Sequence, residues 1–204
     1  MATDKLATAF QSKRLVYRAP ENNEEDRELF TGLQNDPVIG ALSDLAVLRP
    51  KSANKSEDLI EQIQKATLPV IICLSPEEAR NQGIETSEPV SIGYLVLGWG
   101  GRPQGREHHR DTGIGLVIAA AHQDKGYGGE AIDWVLDWAF RFGGFHRVSI
   151  GTVSYNERAQ HLYKKLGFAE EGRSRQAFWF DRKWYDIVNY SMLEHEWEAL
   201  RGLG

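Results

Sequence analysis

Seven residues past the middle of the chain, Gln123-Asp124-Lys125-Gly126-Tyr127-Gly128-Gly129, have the types and spacing to hold an anion. They stand between an apolar, strand-like stretch and a helix-like one. A turn of this kind leaves backbone N–H groups unpaired at the helix start. Glycines let a ligand approach that backbone with no Cβ in the way. The helix dipole favours negative charge there by roughly 0.3–1 kcal/mol per charge at exposed sites. The loop is a candidate cradle for a phosphate or pyrophosphate. A glycine-rich turn without a ligand is the alternative that the loop alone leaves open.

Context argues against two phosphate chemistries. Gly126-x-Gly128-x-x-Ala131 has the outline of a dinucleotide fingerprint, but that reading needs an acidic residue about 20 positions on, where the next strand ends. Here that strand ends Ile150-Gly151-Thr152-Val153-Ser154, and too little chain follows for the remaining strands. No Gly-Lys-Ser/Thr is present for a nucleoside triphosphate loop. Cys73 is the one cysteine, so an internal disulfide and a multi-cysteine zinc site are both excluded. It lies in the apolar run Leu68–Leu74 and reads as a buried small hydrophobe.

The elements that would position the loop follow from periodicity. Arg14–Arg18 alternates as a half-buried strand. Glu24–Leu33 reads as a helix stopped by Asp36-Pro37, and Ser56–Lys65 as a second helix with Ser56 as its N-cap. Val70–Leu74, Val90–Leu97 and Asp111–Ala119 read as strands, with Ser75–Glu88 and Gly98–Arg110 as loops between them. Gly126–Phe142 is a long helix whose Glu130, Asp133, Asp137 and Arg141 form one polar, exposed stripe. Trp134 and Trp138 read as packing residues on it. Arg147–Val153 is a strand and Asn156–Leu166 a short helix with Gly167 as its stop. Phe168–Phe180 and Trp184–Leu193 form a hairpin. The order is mixed α/β with antiparallel hairpins and one central crossover.

The chain has 204 residues, 41% hydrophobic and 26% charged, with a net charge of −5. That composition fits one globular domain and gives no basic footprint for nucleic acid. The longest apolar run, Leu116–Ala121, is far below the roughly 18 residues of a membrane span. The N-terminal residues lack the apolar core of a secretory signal, so a cytoplasmic location is expected.

Three motifs, in order and spacing, resemble one superfamily. Gln123-x-x-Gly126-x-Gly128 is similar to the Q/R-x-x-G-x-G/A motif of the GNAT superfamily of acyl-CoA N-acyltransferases. Asn156-Glu157-Arg158-Ala159-Gln160-His161-Leu162-Tyr163-Lys164-Lys165-Leu166-Gly167-Phe168 resembles its N-x-x-A-x-x-L-Y-x-K-x-G-F segment. Arg14–Arg18 followed by Asn35-Asp36-Pro37, and later Phe168–Gly172 and Trp184–Val188, resemble the branch of ribosomal-protein alanine N-acetyltransferases and spermidine N-acetyltransferase. The resemblance implies a single-domain α/β (α+β) fold. Its sheet would be mixed, mostly antiparallel, of about six or seven strands, flanked by about four helices, with splayed central strands binding acyl-CoA. The domain would run over 13–197, with a flexible leader at 1–12 and a tail at 198–204.

The resemblance also implies a chemistry: direct acetyl transfer from acetyl-CoA to a primary amine, on a small molecule or a protein N-terminus. Polyamine acetylation is one alternative, and a non-catalytic acyl-CoA-binding module is another. By position, the amides from Gln123 to Gly129 would hold the pyrophosphate. The main chain of Leu116, Val117 and Ile118 would pair with the pantetheine arm, and Asn156 would hydrogen-bond it. Tyr163 would protonate the departing thiolate. No metal, nucleic acid or membrane enters this scheme, and a homodimer is one expected assembly because dimers are common among similar proteins. The branch often places a glutamate on the strand before the loop. Gly113 stands at that position here, which leaves Asp111, His109, His108 or a water chain as candidate bases. The loop Arg102–Arg110 is net basic, which argues against a polycation as acceptor. The aromatic run Phe178-Trp179-Phe180 with Trp184 and Tyr185 is expected near the acceptor groove by resemblance, or as strand packing by its pattern.

Overall fold

The computed structural model describes residues 6–101 and 105–203. Arg102, Pro103 and Gln104 of the basic loop lie outside the described residues. Seven strands form one sheet: β1 (Leu15–Arg18), β2 (Leu68–Leu74), β3 (Val90–Leu97), β4 (Asp111–Ile118), β5 (Arg147–Val153), β6 (Ala169–Phe180) and β7 (Lys183–Leu193). Their order is β1-β2-β3-β4-β5-β7-β6. Every pairing is antiparallel except β4 with β5. The crossover between these two parallel strands contains the long helix α5 (Tyr127–Arg141), as a parallel connection requires.

Helices cover both faces. On one face α1 (Glu24–Asn35), α2 (Pro37–Ser43) and α3 (Ala53–Gln64) lie over the sheet. Phe30, Ile60 and Ile63 bury against Ile71, Cys73 and Val96, while Leu33 and Ile39 cluster with Val117. On the other face α4 (Pro76–Asn81), α5, α6 (Glu157–Lys165) and α7 (Glu194–Arg201) contribute to the largest core, where Ile114 and Ile118 meet Ala131, Val135 and Tyr163. Alternation along β4 thus sends Ile114, Leu116 and Ile118 toward α5 and α6, and Val117 toward α1 and α2.

Seven α-helices stand among the described residues, where about four are expected from the sequence. The additional ones have six to eight residues, too short for a repeating apolar stripe to show. Asp36-Pro37 ends α1 and also starts α2: the Asp36 carboxylate accepts from the Val38 and Ile39 amides at 2.9 and 3.0 Å. Ser75 does the same for α4, accepting from the Glu78 amide at 3.1 Å, inside the stretch read as loop. Ser56 is not the cap of α3. It is fully buried in the second turn, and its hydroxyl bonds Thr31 and Gln34 of α1.

Residues 6–12, within the expected leader, and residues 198–201, within the expected tail, pack on the rest of the fold. From Leu6 onward the leader is docked: the Ala9 carbonyl accepts from the Trp134 indole at 2.9 Å, and the Phe10 carbonyl accepts from the Tyr17 amide at 2.9 Å. Trp134 stacks on Tyr17 with ring centroids 3.7 Å apart, the packing role read for it. The expected boundary at 197 falls inside α7. There Arg201 bonds Asp133 at 2.6 Å and Asp137 at 2.9 Å, and the Trp197 indole bonds Asp137 at 2.9 Å. Asp133 and Asp137 of the polar stripe of α5 are therefore partnered by α7.

The β2–β3 register slips between Ile72 and Cys73, leaving Ile92 as an extra residue on β3. Next to it, a Cβ on Gly93 would sit 2.1 Å from the Val117 carbonyl oxygen. Glycine is required there by close backbone approach. Gly93→Ala is expected to cost about 2 kcal/mol or more and to lower Tm by about 4–8 °C in a thermal melt. Gly115→Ala, with nothing within 4 Å of the added methyl, is expected to stay within about 1 kcal/mol of the parent.

Candidate active site

The site begins where β4 and β5 part. They pair only at Asp111↔Arg147, Thr112↔Val148 and Gly113↔Ser149. Beyond Gly113 each keeps its outer neighbour, β4 with β3 and β5 with β7. A cleft of about 950 Å³ opens between them, lined by Ile114–Ile118 of β4 and Ile150–Val153 of β5.

The ladder with β3 decides which main-chain groups face that cleft. Gly98 donates to the Gly113 carbonyl and Ala119 to the Ile92 carbonyl, so the odd residues of β4 turn their backbone to β3. Leu116 therefore presents its N–H and C=O to the open edge. Val117 does not, which corrects the expected run of three. The Ile118 carbonyl is occupied by the Gln123 side-chain amide at 2.8 Å.

The glycine loop closes one end of the cleft. Gly126 is the N-cap residue of α5, left-handed at φ 83°, with no side chain capping the helix. The amides of Tyr127, Gly128 and Gly129 start the helix without intrahelical partners. Gly126 to Gly129 all line the cleft. Other members of the loop have structural work. The Gln123 amide donates to the Ala120 carbonyl, and its side-chain oxygen accepts from Arg158 at 2.7 Å. Asp124 pairs with Arg158 at 3.0 Å. Lys125 points away from the cleft: its ammonium reaches Gln82 at 2.8 Å and its carbonyl accepts from Arg14 at 2.9 Å. The Tyr127 ring is buried under the Arg14 guanidinium, 4.7 Å from its centroid, and its hydroxyl donates to Glu78.

Glu130, one turn into α5, holds this end in place. It accepts from the Ser12 hydroxyl at 2.7 Å, the Arg14 amide at 2.7 Å and the Arg14 guanidinium at 2.8 Å. Burial alone would push its carboxyl up; the hydrogen bonds from Ser12 and Arg14 outweigh burial and hold it below the usual carboxylate range.

α6 forms the facing wall. Asn156 is its N-cap, with Oδ1 accepting from the Ala159 amide at 3.2 Å. Its side-chain NH2 group has no protein partner among the described residues, so it remains available to a ligand in the cleft it lines. Tyr163 also lines the cleft and is buried, edge-on to Tyr190 at 5.6 Å. Burial, with the nearby Tyr190, pushes its hydroxyl up to about 12. That hydroxyl too lacks a protein partner among the described residues. His122, which sequence reasoning passed over, lines the same end of the cleft with a buried Nδ1 that has no partner among the described residues. Burial and then Lys125 hold its imidazole below the ordinary range. Unpaired amides, an open strand edge and an orphaned ring nitrogen along one wall suit an elongated, hydrogen-bonding, anionic ligand.

Residues 72–168 match the acetyltransferase (GNAT) family. The chain is 26% identical over 121 residues to spermidine N(1)-acetyltransferase of Vibrio cholerae, covering 59% of this chain and 62% of that protein. It is 32% identical over 91 residues to a putative ribosomal N-acetyltransferase of Bacillus subtilis, covering 45% of this chain and 50% of the relative. The chain thus spans less than two thirds of the length of these curated relatives. Among solved structures, the V. cholerae spermidine N-acetyltransferase in complex with CoA and spermine shares the fold at a TM-score of 0.71 and 22% identity. That match covers 91% of this chain and 99% of the other. The chain is therefore similar to GNAT acetyltransferases over residues 72–168 and shares their fold.

Within this GNAT fold the other candidates fall away from the cleft. His109 sits in an exposed 3-10 turn with its ring 4.0 Å from that of His108, and Asp111 is exposed at the start of β4. Neither lines the cleft, which opens only after Gly113. The aromatic run of the hairpin is packing. Tyr155 gathers Tyr185, Phe180 and Phe178 within 4.7–6.3 Å, while Trp179 and Trp184 pair at 5.1 Å on the exposed tip. Cys73 is fully buried, and burial pushes its thiol up, as expected of a core residue. No helix among the described residues is long and apolar enough to cross a membrane.

Glu130 supplies a pH test of the loop anchor. Its folded pKa is depressed, so its stabilisation is present above the ordinary carboxylate pKa and is lost as pH falls through the folded value. Glu130→Gln is expected to cost about 1.5–3 kcal/mol at pH 7 by denaturant melts, with the gap to the parent narrowing below about pH 4.

Proposed function

We propose that this chain transfers the acetyl group of acetyl-CoA to a primary amine by direct attack in a ternary complex. The observation that carries this reading is the cleft between β4 and β5, with uncapped α5 amides at one end, the open Leu116 backbone along one side and Tyr163 on the facing wall. In this reading the amides of Tyr127, Gly128 and Gly129 bind the pyrophosphate, and the Asn156 NH2 group and the Leu116 backbone hold the arm that carries the thioester. The amine nitrogen forms a bond to the acetyl carbon, and the carbon–sulfur bond breaks. One proton leaves the amine, and the thiolate gains a hydrogen-bond donor or a proton. Holding both reactants together supplies much of the acceleration, since effective molarities reach about 10⁵ M and above.

The raised hydroxyl of Tyr163 refines its part. It stays protonated at neutral pH and can donate to sulfur. In this reading Tyr163 acts as the general acid, donating a hydrogen bond and then its proton to the leaving sulfur. Calorimetry is expected to show acetyl-CoA binding below the millimolar range. Tyr163→Phe is expected to lower kcat by about 10–100-fold while changing acetyl-CoA affinity by less than about threefold. An unchanged kcat removes the assigned role.

No carboxylate takes the place of Gly113, and His109 and Asp111 lie off the cleft. In this reading the amine sheds its proton to water at the open mouth, while His122 lies at the glycine-loop end of the cleft. The apparent pKa governing kcat/KM is then expected to track the amine's own pKa across a panel of acceptors. A single value for every amine would point to a titrating protein group instead. Polyamine acetylation is the second reading, favoured by the names of the V. cholerae relatives. Acetyl-CoA binding with no amine turned over faster than hydrolysis would favour a non-catalytic acyl-CoA-binding module.

A further inference from the structure

We infer that the acceptor is a monoamine carried on an apolar or aromatic body, seated on the α2 side of the cleft, and that the site is not built for a polyamine. This rests on the acetyl-transfer reading. The cleft passes through the sheet between β4 and β5 and has two unlike mouths. On the α5–α6 side it offers backbone amides and Asn156. On the α1–α3 side its wall includes the apolar Leu33, Ile39, Leu45, Leu59, Tyr94 and Trp99, beside the polar Gln34, Ser43 and Gln62. Leu45 and Trp99 are 63% and 52% exposed, large apolar side chains left uncovered at the rim. Such surface at a cleft mouth gains from an apolar partner. Gly115, on the α2 face of β4, leaves nothing within 4 Å of where a side chain would begin, which keeps room beneath α2.

Charge argues in the same direction. Among the described residues the cleft wall carries two carboxylates, Asp44 and Asp124, and three cations, Lys51, Arg158 and Lys165. Asp124 is committed to Arg158. Asp44 pairs with Lys51 and accepts from the Ala46 amide at 2.9 Å. Lys51 and Arg158 are neutralised in these pairs, so the wall offers a chain of two or three ammonium groups no free carboxylate and presents Lys165 as a further cation. A monoamine that reacts as the neutral base needs no carboxylate partner at all, so the absence of a free one on this wall is no obstacle to it. The rest of such a ligand is paired with Trp99, Tyr94 and Leu45 rather than with charge.

The test uses the full chain with acetyl-CoA as donor and follows thiol release with 2-phenylethylamine, spermidine and a short peptide with a free N-terminus. The expected kcat/KM for 2-phenylethylamine exceeds that for spermidine and the peptide by about 10-fold or more. Trp99→Ala and, separately, Leu45→Ala are each expected to lower kcat/KM for 2-phenylethylamine by about 5–10-fold, chiefly through KM. Calorimetric affinity for acetyl-CoA should move by less than about twofold in both, because neither residue faces the α5 amides. Both side chains are exposed, so each variant should fold. Acetyl-CoA binding with spermidine or the peptide preferred overturns the acceptor assignment alone, as does a 2-phenylethylamine rate indifferent to both substitutions. Failure to bind acetyl-CoA overturns the transfer reading and this assignment with it.

Discussion

Three residue pairs hold β4 to β5, and the parting of the two strands after the third creates the site. A sheet paired throughout would bury the Leu116 amide and carbonyl in a ladder, leaving no edge for a ligand and no passage between the faces. The parting is tolerated because each strand satisfies its other edge, β4 on β3 and β5 on β7. The groups left open are few, and they line a cleft where a polar ligand or water completes them. α2 contacts both strands on one side, and the Tyr155 hydroxyl donates to the Ala41 carbonyl, tying α2 to the end of β5. The gap is thus bridged at one mouth and capped by the glycine loop at the other.

α5 transmits this arrangement to the rest of the chain. Its first turn is fixed by Ser12 and Arg14 through Glu130, and its later turns by Arg201 and Trp197 through Asp133 and Asp137. Ser12, Arg14, Trp197 and Arg201 therefore brace the helix whose uncapped N-terminus faces the cleft. The Arg14–Glu130 pair is partly buried, with side-chain exposures of 31% and 15%, so it is screened less than a surface pair and backed by two further hydrogen bonds. Rigidity at this point matters because backbone amides bind an anion well only when they already point the right way.

The glycine loop was legible from residue type and spacing, since a left-handed glycine at a helix start is a local feature, whereas Asn156 and Tyr163 were singled out only by the resemblance of the segment 156–168. Tyr163 and Asn156 do come to the same cleft as Gly126–Gly129. The candidate bases were not legible. His109 and Asp111 are near Gly113 in sequence, but β4 runs parallel to β5 there, and the cleft lies at the other end of the strand. The polar stripe of α5 read as solvated because its partners, Ser12, Arg14 and Arg201, are 64 to 118 residues away in the chain. His122 carried no signal of its own; its orphaned Nδ1 exists only because the surrounding turn buries it.

By itself the sequence determined most of the alternation of strands and helices and the glycine turn at Gly126, because periodicity, capping and glycine conformation act over a few residues. The tertiary structure alone decided which backbone edge stays open, which side chains share the cleft and what charge its walls carry. Those properties arise from strand pairing and from contacts across the sheet. A one-residue alternation sends Leu116 to the cleft and Val117 to β3, and that choice is made by the β3 ladder rather than by either residue's own type.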